Sequence, residues 1–349
     1  MLMQDKPNIR NLGKQELTDW FVAQGEKPFR ARQVWEWLWS NHAGRFAEMT
    51  TLSKALRQRL AADFSLPFLS VDTLQKSADG TMKTRFRSVD DHVFEGVLIP
   101  TTKRQTACVS SQAGCSLNCR FCATGYMERK RNLGFDEIYD QVALINRQSQ
   151  EQSGKKLTNI VYMGMGEPLL NYKNVLQSIE RITAPDGLGM SPRRITVSTS
   201  GITKMIYKLA EDRVKFNLAL SLHAPTDEKR DRIMPFNKQN NIASLMEALA
   251  AFYAQTKNEI TFEYILFKDF NDSIADADAL IKLYRRIPVR VINIIEYNPI
   301  DAAYFEKPEK AQTEAFMAYL SRQRVNAHLR KSRGKDIDAA CGQLANKGK

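Results

Sequence analysis

The sequence predicts an α/β protein: a partial (β/α)6 barrel preceded by a small helical domain and a β extension. The first observation is a rhythm that begins near residue 105, where short β-rich runs alternate with amphipathic helical stretches. The second is the number of runs, because six suit a partial barrel better than a closed eight-stranded one. The third is size, since 349 residues, 43% of them hydrophobic, can bury the core of such a fold.

Residues 1–70 read as short helices, and we predict that they form an N-terminal domain that binds RNA. All four tryptophans lie here, and the segment Phe29–Trp39 places Trp35 and Trp39 at helical spacing with apolar neighbours. A basic, aromatic helix can bind RNA, but tryptophan at this spacing is more often part of a core. We therefore assign the tryptophan pair to the core and regard Arg30 and Arg32 as the better candidates for RNA contacts.

Residues 71–104 show the alternation of a β extension, with strands expected at 83–87 and 93–99. Residues 105–349 are predicted to form the barrel and to end in a C-terminal catalytic segment. A helix is expected over 135–148, with Asp136 as its N-cap and three apolar residues on one face. The six runs that predict the barrel strands are 106–110, 159–163, 194–198, 216–221, 259–266 and 290–296.

The charge balance suggests a polyanionic partner. Lys and Arg number 51 against 39 Asp and Glu, so the formal net charge is +12. A merely basic soluble protein would show the same balance, so charge alone does not identify the partner. No apolar run approaches the roughly 20 residues that span a bilayer, and the N-terminus lacks the layout of a signal peptide. We expect a cytoplasmic protein without membrane contact.

Five cysteines carry the most specific signal. Cys115, Cys119 and Cys122 lie within eight residues, so that one loop can hold a single iron-sulfur cubane by three of its irons and leave the fourth open. The alternative is a structural zinc site completed by Cys108 or a histidine. Zinc sites usually contain a second cysteine pair, which is not evident here, so we favour the iron-sulfur interpretation.

The Cys-x3-Cys-x2-Cys spacing, with an aromatic residue before the last cysteine, resembles the signature of radical S-adenosylmethionine (SAM) enzymes. The resemblance then narrows to the bacterial dual-specificity methyltransferases that act on adenine carbon 2 of ribosomal and transfer RNA. It covers nearly the whole chain in order. The matching stretches are 107–115, 163–171, 198–201, 221–225 and 336–344.

This resemblance implies a radical SAM barrel with one [4Fe-4S] cluster on Cys115, Cys119 and Cys122 and two SAM molecules used per turnover. In barrels of this kind, ligands lie at the C-terminal ends of the strands, where the matched residues fall. The residues that the resemblance assigns to SAM are Gly166, Glu167, Ser198, Ser221, Leu222, His223 and Asn298.

The resemblance also implies a covalent mechanism. Cys341 would first be methylated by one SAM molecule, and a radical from a second would abstract hydrogen from the S-methyl group. The carbon radical would then add to the adenine and leave a covalent adduct between protein and RNA. Glu95 would accept the ring proton, and Cys108 would release the product by pairing with Cys341.

The implied partners are 23S rRNA, either protein-free or in an assembling large subunit, tRNA, and an electron donor such as flavodoxin or ferredoxin. We expect a monomer. Basic residues lie on both sides of the chemistry, at 129–131 after the cysteine loop and at 330–335 before Cys341, and would suit a phosphate backbone. Two alternatives stay open: a sister family that methylates adenine carbon 8 and confers antibiotic resistance, and a zinc-stabilised RNA-binding protein without catalysis.

Overall fold

A computed structural model describes residues 6–347. None of the helices in this range is long and apolar enough to cross a membrane. The α-helices are α1 (Lys14–Ala23), α2 (Phe29–Trp39), α3 (Lys54–Asp63), α4 (Phe135–Ser153), α5 (Tyr172–Thr183), α6 (Thr203–Glu211), α7 (Asp227–Ile233), α8 (Ile242–Thr256), α9 (Ile274–Arg286) and α10 (Lys310–Arg322). The strands are β1 (Ser70–Lys76), β2 (Met82–Arg87), β3 (Val93–Pro100), β4 (Gln105–Cys108), β5 (Gln112–Ala113), β6 (Arg131–Asn132), β7 (Asn159–Tyr162), β8 (Ile195–Thr199), β9 (Asn217–Ser221), β10 (Ile260–Leu266), β11 (Val289–Glu296) and β12 (Ala327–Arg330).

One ten-stranded sheet organises the molecule, in the order β1-β2-β3-β4-β7-β8-β9-β10-β11-β12. Within this sheet the seven strands β4 and β7 to β12 are parallel and are joined by helices. Strands β1, β2 and β3 extend the sheet beyond β4 as antiparallel neighbours. The short strands β5 and β6 pair separately and close the base of a loop that carries the three clustered cysteines. The sheet does not return to β1, so the barrel is partial.

The predicted fold class is confirmed. The six predicted barrel runs coincide with the strands β4, β7, β8, β9, β10 and β11. The two strands that were predicted in the extension correspond to β2 and β3. The structure adds a seventh parallel strand, β12, which pairs with β11. This strand has only four residues and is mostly exposed, so its sequence lacks the apolar signal that marks the other strands.

The prediction that Asp136 caps α4 is wrong. The N-cap is Gly134, whose backbone N–H donates to the Glu137 carboxylate at 2.7 Å. Asp136 lies within the first turn and contacts Arg10 at 3.6 Å instead. The helix also runs five residues beyond the predicted end and stops at Gly154, which adopts the left-handed conformation that favours glycine.

The N-terminal helices pack on the barrel through the predicted tryptophan pair. Trp35 and Trp39 are both buried. The Trp39 ring stacks on Phe135 with centroids 6.0 Å apart and meets Tyr139 edge-on at 5.2 Å. The assignment of this pair to the core is therefore confirmed. Arg32 is exposed and lies 3.8 Å from Glu36, and its predicted contact with RNA stays a prediction.

A buried ion pair joins the N-terminal segment to α4. The Arg10 guanidinium donates to both carboxylate oxygens of Asp140, at 2.6 and 3.1 Å, and both residues are almost fully buried. Removing one partner of such a pair leaves an uncompensated charge in the core, which is far more costly than replacing both partners by apolar groups.

We predict that Arg10→Met lowers the free energy of unfolding by about 3–5 kcal/mol, because Asp140 keeps its carboxylate but loses its cation. Urea denaturation of the two proteins measures this difference. The matched variant Arg10→Met/Asp140→Leu is expected to regain most of the loss. If Arg10→Met unfolds within about 1 kcal/mol of the wild type, the ion pair does not support the interface.

Candidate active site

A cavity opens at the carboxyl ends of the parallel strands and collects most of the predicted site residues. Its walls come from β3 to β11, from the cysteine loop and from the C-terminal segment, defined here as residues 338–347. Glu95, Leu222 and Asn298 do not line it. The predicted residues that do are Cys108, Cys115, Cys119, Cys122, Gly166, Glu167, Ser198, Ser221, His223 and Cys341.

The loop that carries the three clustered cysteines is tightly anchored. It leaves and rejoins the body through the β5–β6 pair, and the Arg120 N–H donates to the Ile233 carbonyl at 2.9 Å. A Cβ on Gly125 would lie 2.5 Å from the Cys119 carbonyl oxygen, so the loop closes on itself only with glycine at this position. All three clustered cysteines lie on this one loop and line one cavity.

Burial changes the chemistry of these thiols. Loss of solvation raises the pKa of Cys115 to about 11 and raises the pKa of Cys119 and of Cys122 as well. The free thiols stay protonated at neutral pH, so binding iron there must displace protons. Within residues 6–347, no three His, Cys, Asp or Glu side chains approach closely enough to hold a single metal ion.

A glycine turn after β7 forms one wall. Gly166 has a φ of +93°, and a Cβ there would lie 2.5 Å from the Gln112 side chain. The next residue, Glu167, is buried and accepts hydrogen bonds from the Ser200 N–H at 2.7 Å and the Leu169 N–H at 3.1 Å. Burial raises the pKa of Glu167 in spite of these donors. A bound cation would satisfy this carboxylate further.

The ends of β8 and β9 bring three predicted residues together. The Ser198 and Ser221 hydroxyls lie 3.2 Å apart, and His223 follows in the left-handed conformation with a φ of 55°. The His223 Nδ1 accepts the Ile265 N–H at 3.2 Å, and burial lowers the pKa of the ring to about 3. His223 is therefore neutral, and its proton sits on Nε2.

Leu222 presents no side chain to the cavity, and its role in SAM binding stays a prediction. Its side chain is buried in the core, and its N–H donates to the Glu263 carbonyl at 3.0 Å. Leu222 comes directly after the last residue of β9, and its side chain packs in the core while Ser221 and His223 on either side line the cavity.

Arg230 is a buried residue that sequence reasoning missed. Its guanidinium donates to the Leu222 carbonyl at 3.1 Å and the Ser221 carbonyl at 3.3 Å, and it also contacts Ser200 and Asn237. It therefore holds the ends of β8 and β9 in fixed positions. Its helix reads Asp-Glu-Lys-Arg-Asp-Arg, in which a buried arginine looks like its solvated neighbours.

Glu263 is the second residue that was missed. It lines the cavity and is buried, and its Oε1 accepts from the Asn293 amide at 2.7 Å and the Thr261 hydroxyl at 2.9 Å. Its Oε2 has no hydrogen-bond partner within the described residues. The signal that could have found it is a lone acidic residue inside an otherwise apolar strand.

The C-terminal segment carries Cys341 to the cysteine loop. The Ala123 N–H donates to the Gly342 carbonyl at 2.7 Å, and the Thr124 hydroxyl donates to the Leu344 carbonyl at 2.6 Å. Cys341 is the most exposed of the five cysteines, yet the surrounding cavity walls raise its pKa to about 12. Cys108, at the end of β4, lines the same cavity and is buried.

Asn298 contacts the C-terminal segment and is not part of the cavity wall. Its amide nitrogen donates to the Cys341 carbonyl at 3.2 Å, while its buried Oδ1 has no partner within the described residues. Such an orphaned acceptor is costly unless a donor arrives. A ligand that reaches this end of the cavity could supply the donor.

Glu95 lies beneath the C-terminal segment. It is 1% exposed, so it is not a solvent-facing strand residue, and Lys83 approaches it at 3.5 Å. Its Oε2 accepts the N–H groups of Ala345 and Asn346 at 3.0 and 3.2 Å. The same face of β3 contributes Val97 to the cavity wall, so Glu95 lies one pleat repeat away from the cavity.

Comparison with known proteins shows which family the chain resembles. Residues 7–66 match the family described as "Ribosomal RNA large subunit methyltransferase N-terminal domain", and residues 109–281 match "Radical SAM superfamily". A protein of Flavobacterium psychrophilum named "Probable dual-specificity RNA methyltransferase RlmN" is 52% identical, covering 98% of this chain and 99% of that protein. The "Dual-specificity RNA methyltransferase RlmN" of Geotalea uraniireducens is 43% identical, covering 97% of each chain.

The chain belongs to the RlmN family of radical SAM RNA methyltransferases. A solved structure agrees: the crystal structure of a radical SAM methyltransferase from Sphaerobacter thermophilus has a TM-score of 0.92 and 39% sequence identity. That comparison covers 98% of this chain and 100% of the other. Membership implies SAM and a [4Fe-4S] cluster as cofactors.

The residues of this RlmN-family site fit both cofactors. Three thiols on one loop match the soft anionic ligands that cluster iron requires. The glycine turn at Gly166 leaves room for close backbone approach by a ligand. Asn298 Oδ1 is a buried acceptor without a partner in residues 6–347, and Glu263 is bonded to Asn293 and Thr261 through Oε1 alone. SAM carries an ammonium, ribose hydroxyls and an adenine amine, which are donors that such acceptors would satisfy.

We predict that Gly166→Ala weakens SAM binding by roughly 1–3 kcal/mol, or about 5- to 150-fold, because the new Cβ displaces Gln112 from the cavity wall. Gly154→Ala is the matched control, since Gly154 also has a positive φ but has no neighbour within 4 Å of a Cβ. Equilibrium dialysis of SAM against the reconstituted proteins measures the effect. Equal SAM affinities for the two variants would contradict the claim that a ligand needs the space beside Gly166.

Proposed function

We propose that this chain methylates carbon 2 of adenosine in 23S rRNA and in tRNA, with Cys341 as the methyl carrier. The observation that carries the proposal is that Cys341 lies in one cavity with the three cluster cysteines and Cys108. This arrangement divides five cysteines into three ligands and two redox partners. Two relatives are named as dual-specificity RNA methyltransferases, which supports a range of more than one RNA substrate.

The cofactors have clear candidate residues. Cys115, Cys119 and Cys122 would hold the [4Fe-4S] cluster, and Gly166, Glu167, Ser198, Ser221, His223 and Asn298 would hold SAM, of which two molecules are used per turnover. When bound, the cluster supplies one electron, and SAM supplies the methyl group and the 5'-deoxyadenosyl group that takes up hydrogen. Leu222 would contribute through its backbone only, because its side chain lies in the core.

The protein's own groups carry the remaining steps. The Cys341 sulfur takes up a methyl group, and that methyl carbon later loses one hydrogen atom and bonds to carbon 2 of the adenine. The adduct gives up one electron to the oxidised cluster on Cys115, Cys119 and Cys122, and Glu95 takes the ring proton. Cys108 then forms a disulfide with Cys341 while the bond from sulfur to carbon breaks, and the released carbon takes a proton. Two electrons from a flavodoxin- or ferredoxin-type donor restore the thiols.

Access to Glu95 requires the C-terminal segment to move. Glu95 is buried, and two backbone N–H groups of residues 345 and 346 donate to its Oε2, so an adenine can approach the carboxylate only if this segment shifts. An adenine lifted out of its stack would enter from the side of Cys341 and displace this segment. Unpaired or loop nucleotides suit this entry better than duplex RNA.

RNA binding is proposed for several basic regions. The exposed candidates are Arg129 and Lys130 on the cysteine loop, Arg330 at the end of β12 and Lys331 after it. Arg131 is committed to ion pairs with Asp90 and Glu137 and is a weaker candidate. The N-terminal helices, residues 1–70, are proposed as a further RNA-binding domain.

We predict that Cys341→Ala abolishes base methylation. The proteins are reconstituted anaerobically with iron and sulfide and incubated with SAM, a reductant and protein-free ribosomal RNA, and the digested nucleosides are separated against 2- and 8-methyladenosine standards. The wild type should yield 2-methyladenosine and 5'-deoxyadenosine, and the variant should keep its iron but yield no methylated base. The variant should retain its fold, because Cys341 is exposed.

Three other results would correct the proposal. An 8-methyladenosine product would assign the chain to the carbon-8 reaction. Normal methylation by Cys341→Ala would remove Cys341 as the carrier. A wild type that binds no iron would overturn the whole proposed chemistry.

A further inference from the structure

A second cavity lies at the opposite end of the barrel, where the parallel strands begin. It is lined by the first residues of β7 and β9, Asn159 and Asn217, and by Thr196 near the start of β8. Four arginines surround it: Arg104 before β4, Arg193 and Arg194 before β8, and Arg290 near the start of β11. Catalytic groups of barrel enzymes lie at the other end, so the chemistry at Cys341 does not explain these residues.

Most of this positive charge is not neutralised by the protein. Arg290 pairs with Glu259, which is the one acidic residue in the cavity lining. The side chains of Arg104, Arg193 and Arg194 are exposed and make no hydrogen bond or ion pair with residues 6–347. Three guanidinium groups that converge on one concave site repel each other, so an anion bound among them would be stabilising.

Helix electrostatics does not account for the arginines. Basic residues often lie in the last turn of a helix, where they interact with the negative end of the dipole. Arg193 and Arg194 do lie in a last turn, but it belongs to a 3-10 helix of only three residues, too short to build an appreciable dipole. Arg104 lies in the turn between β3 and β4, and Arg290 lies within β11.

The basic surface extends beyond the cavity. The loop before β7 carries Lys155 and Lys156, and the loop before β9 carries Arg213 and Lys215, all of them exposed. Because these loops precede parallel strands, they lie at the same end of the barrel as the four arginines. The nearest acid in the loop before β9, Asp212, is already bonded to Lys208 at 2.7 Å.

We propose that this cavity binds phosphate groups, and that they belong to the backbone of an RNA substrate at a distance from the target nucleotide. Guanidinium forks match phosphate oxygens in pairs, and the amide and hydroxyl groups of Asn159, Asn217 and Thr196 offer further donors. A surface wider than the cavity favours a polyanion over a single small phosphate. The RNA source rests on the function proposed above, whereas phosphate binding itself does not.

The test removes two charges from the cavity in Arg193→Gln/Arg194→Gln. The matched control, Lys204→Gln/Lys282→Gln, removes the same charge from exposed positions on α6 and α9. Fluorescence anisotropy measures the affinity of each protein for a labelled tRNA transcript over a range of KCl concentrations. An isolated anticodon stem-loop serves as a short RNA probe, and calorimetry with inorganic pyrophosphate tests a free phosphate ligand.

We expect the arginine variant to bind tRNA about tenfold more weakly at low salt and to lower the slope of log affinity against log salt by about 1–2, since each lost phosphate contact removes roughly 0.7–0.9. The control and the wild type should agree. Binding and methylation of the stem-loop should not change, because the arginines lie at the far end of the barrel.

Each other outcome is decisive. If pyrophosphate binds the wild type but not the arginine variant, while tRNA binding is equal, the phosphate site stands and its ligand is a small phosphate. If the arginine variant matches the control with both ligands, the proposal is overturned. If the wild type binds tRNA through these arginines but methylates neither RNA, the proposed function fails and the phosphate site survives.

Discussion

The site depends on the hydrogen bonds that hold the C-terminal segment against the cysteine loop. Thr124 and Leu344 are 220 positions apart in the chain, yet the hydroxyl of one donates to the carbonyl of the other. This contact, the neighbouring bond from Ala123 to Gly342 and the bond from Asn298 to the Cys341 carbonyl together hold Cys341 beside the cysteine loop. The same segment covers Glu95 through two backbone N–H groups. The hydrogen bonds of this segment thus position the Cys341 thiol and cover the Glu95 carboxylate.

The fold around this site contains several buried charged groups. Arg230, Glu263 and the pair of Lys83 with Glu95 are all buried, and each is expensive to bury without partners. The Arg230 guanidinium donates hydrogen bonds to carbonyls at the end of β9. These bonds compensate its burial and hold the residues that follow the strand in place. Glu263 is only half satisfied, which is consistent with a site built to be completed by a ligand.

Much of the fold could be predicted from the sequence because local patterns determine it. Barrel strands are buried on both faces and read as apolar runs, and the tryptophans at 35 and 39 lie at helical spacing. The cysteine loop could be predicted for the same reason, since its three ligands lie within eight residues. The resemblance to a family then supplied the distant positions at Glu95, Cys108 and Cys341, which no local pattern connects.

What could not be predicted arises from contacts between distant segments. Strand β12 is recognisable only by its pairing with β11, and the α4 cap depends on Glu137 reaching back to Gly134. The burial of Arg230 and the cover over Glu95 depend on elements that lie far away in the chain. Their side chains look like ordinary surface residues in sequence, because burial is a property of the assembled fold and not of a residue's neighbours.

The central claim is that five cysteines in one cavity divide into three cluster ligands and a pair that carries and releases the methyl group. The most direct test is mass spectrometry of Cys108→Ser after anaerobic turnover with SAM, a reductant and RNA. The variant should keep the iron content of the wild type and accumulate RNA covalently attached at Cys341, because the bond from sulfur to carbon can no longer be resolved. Free methylated RNA in normal amounts, or an adduct at a different residue, would contradict the claim.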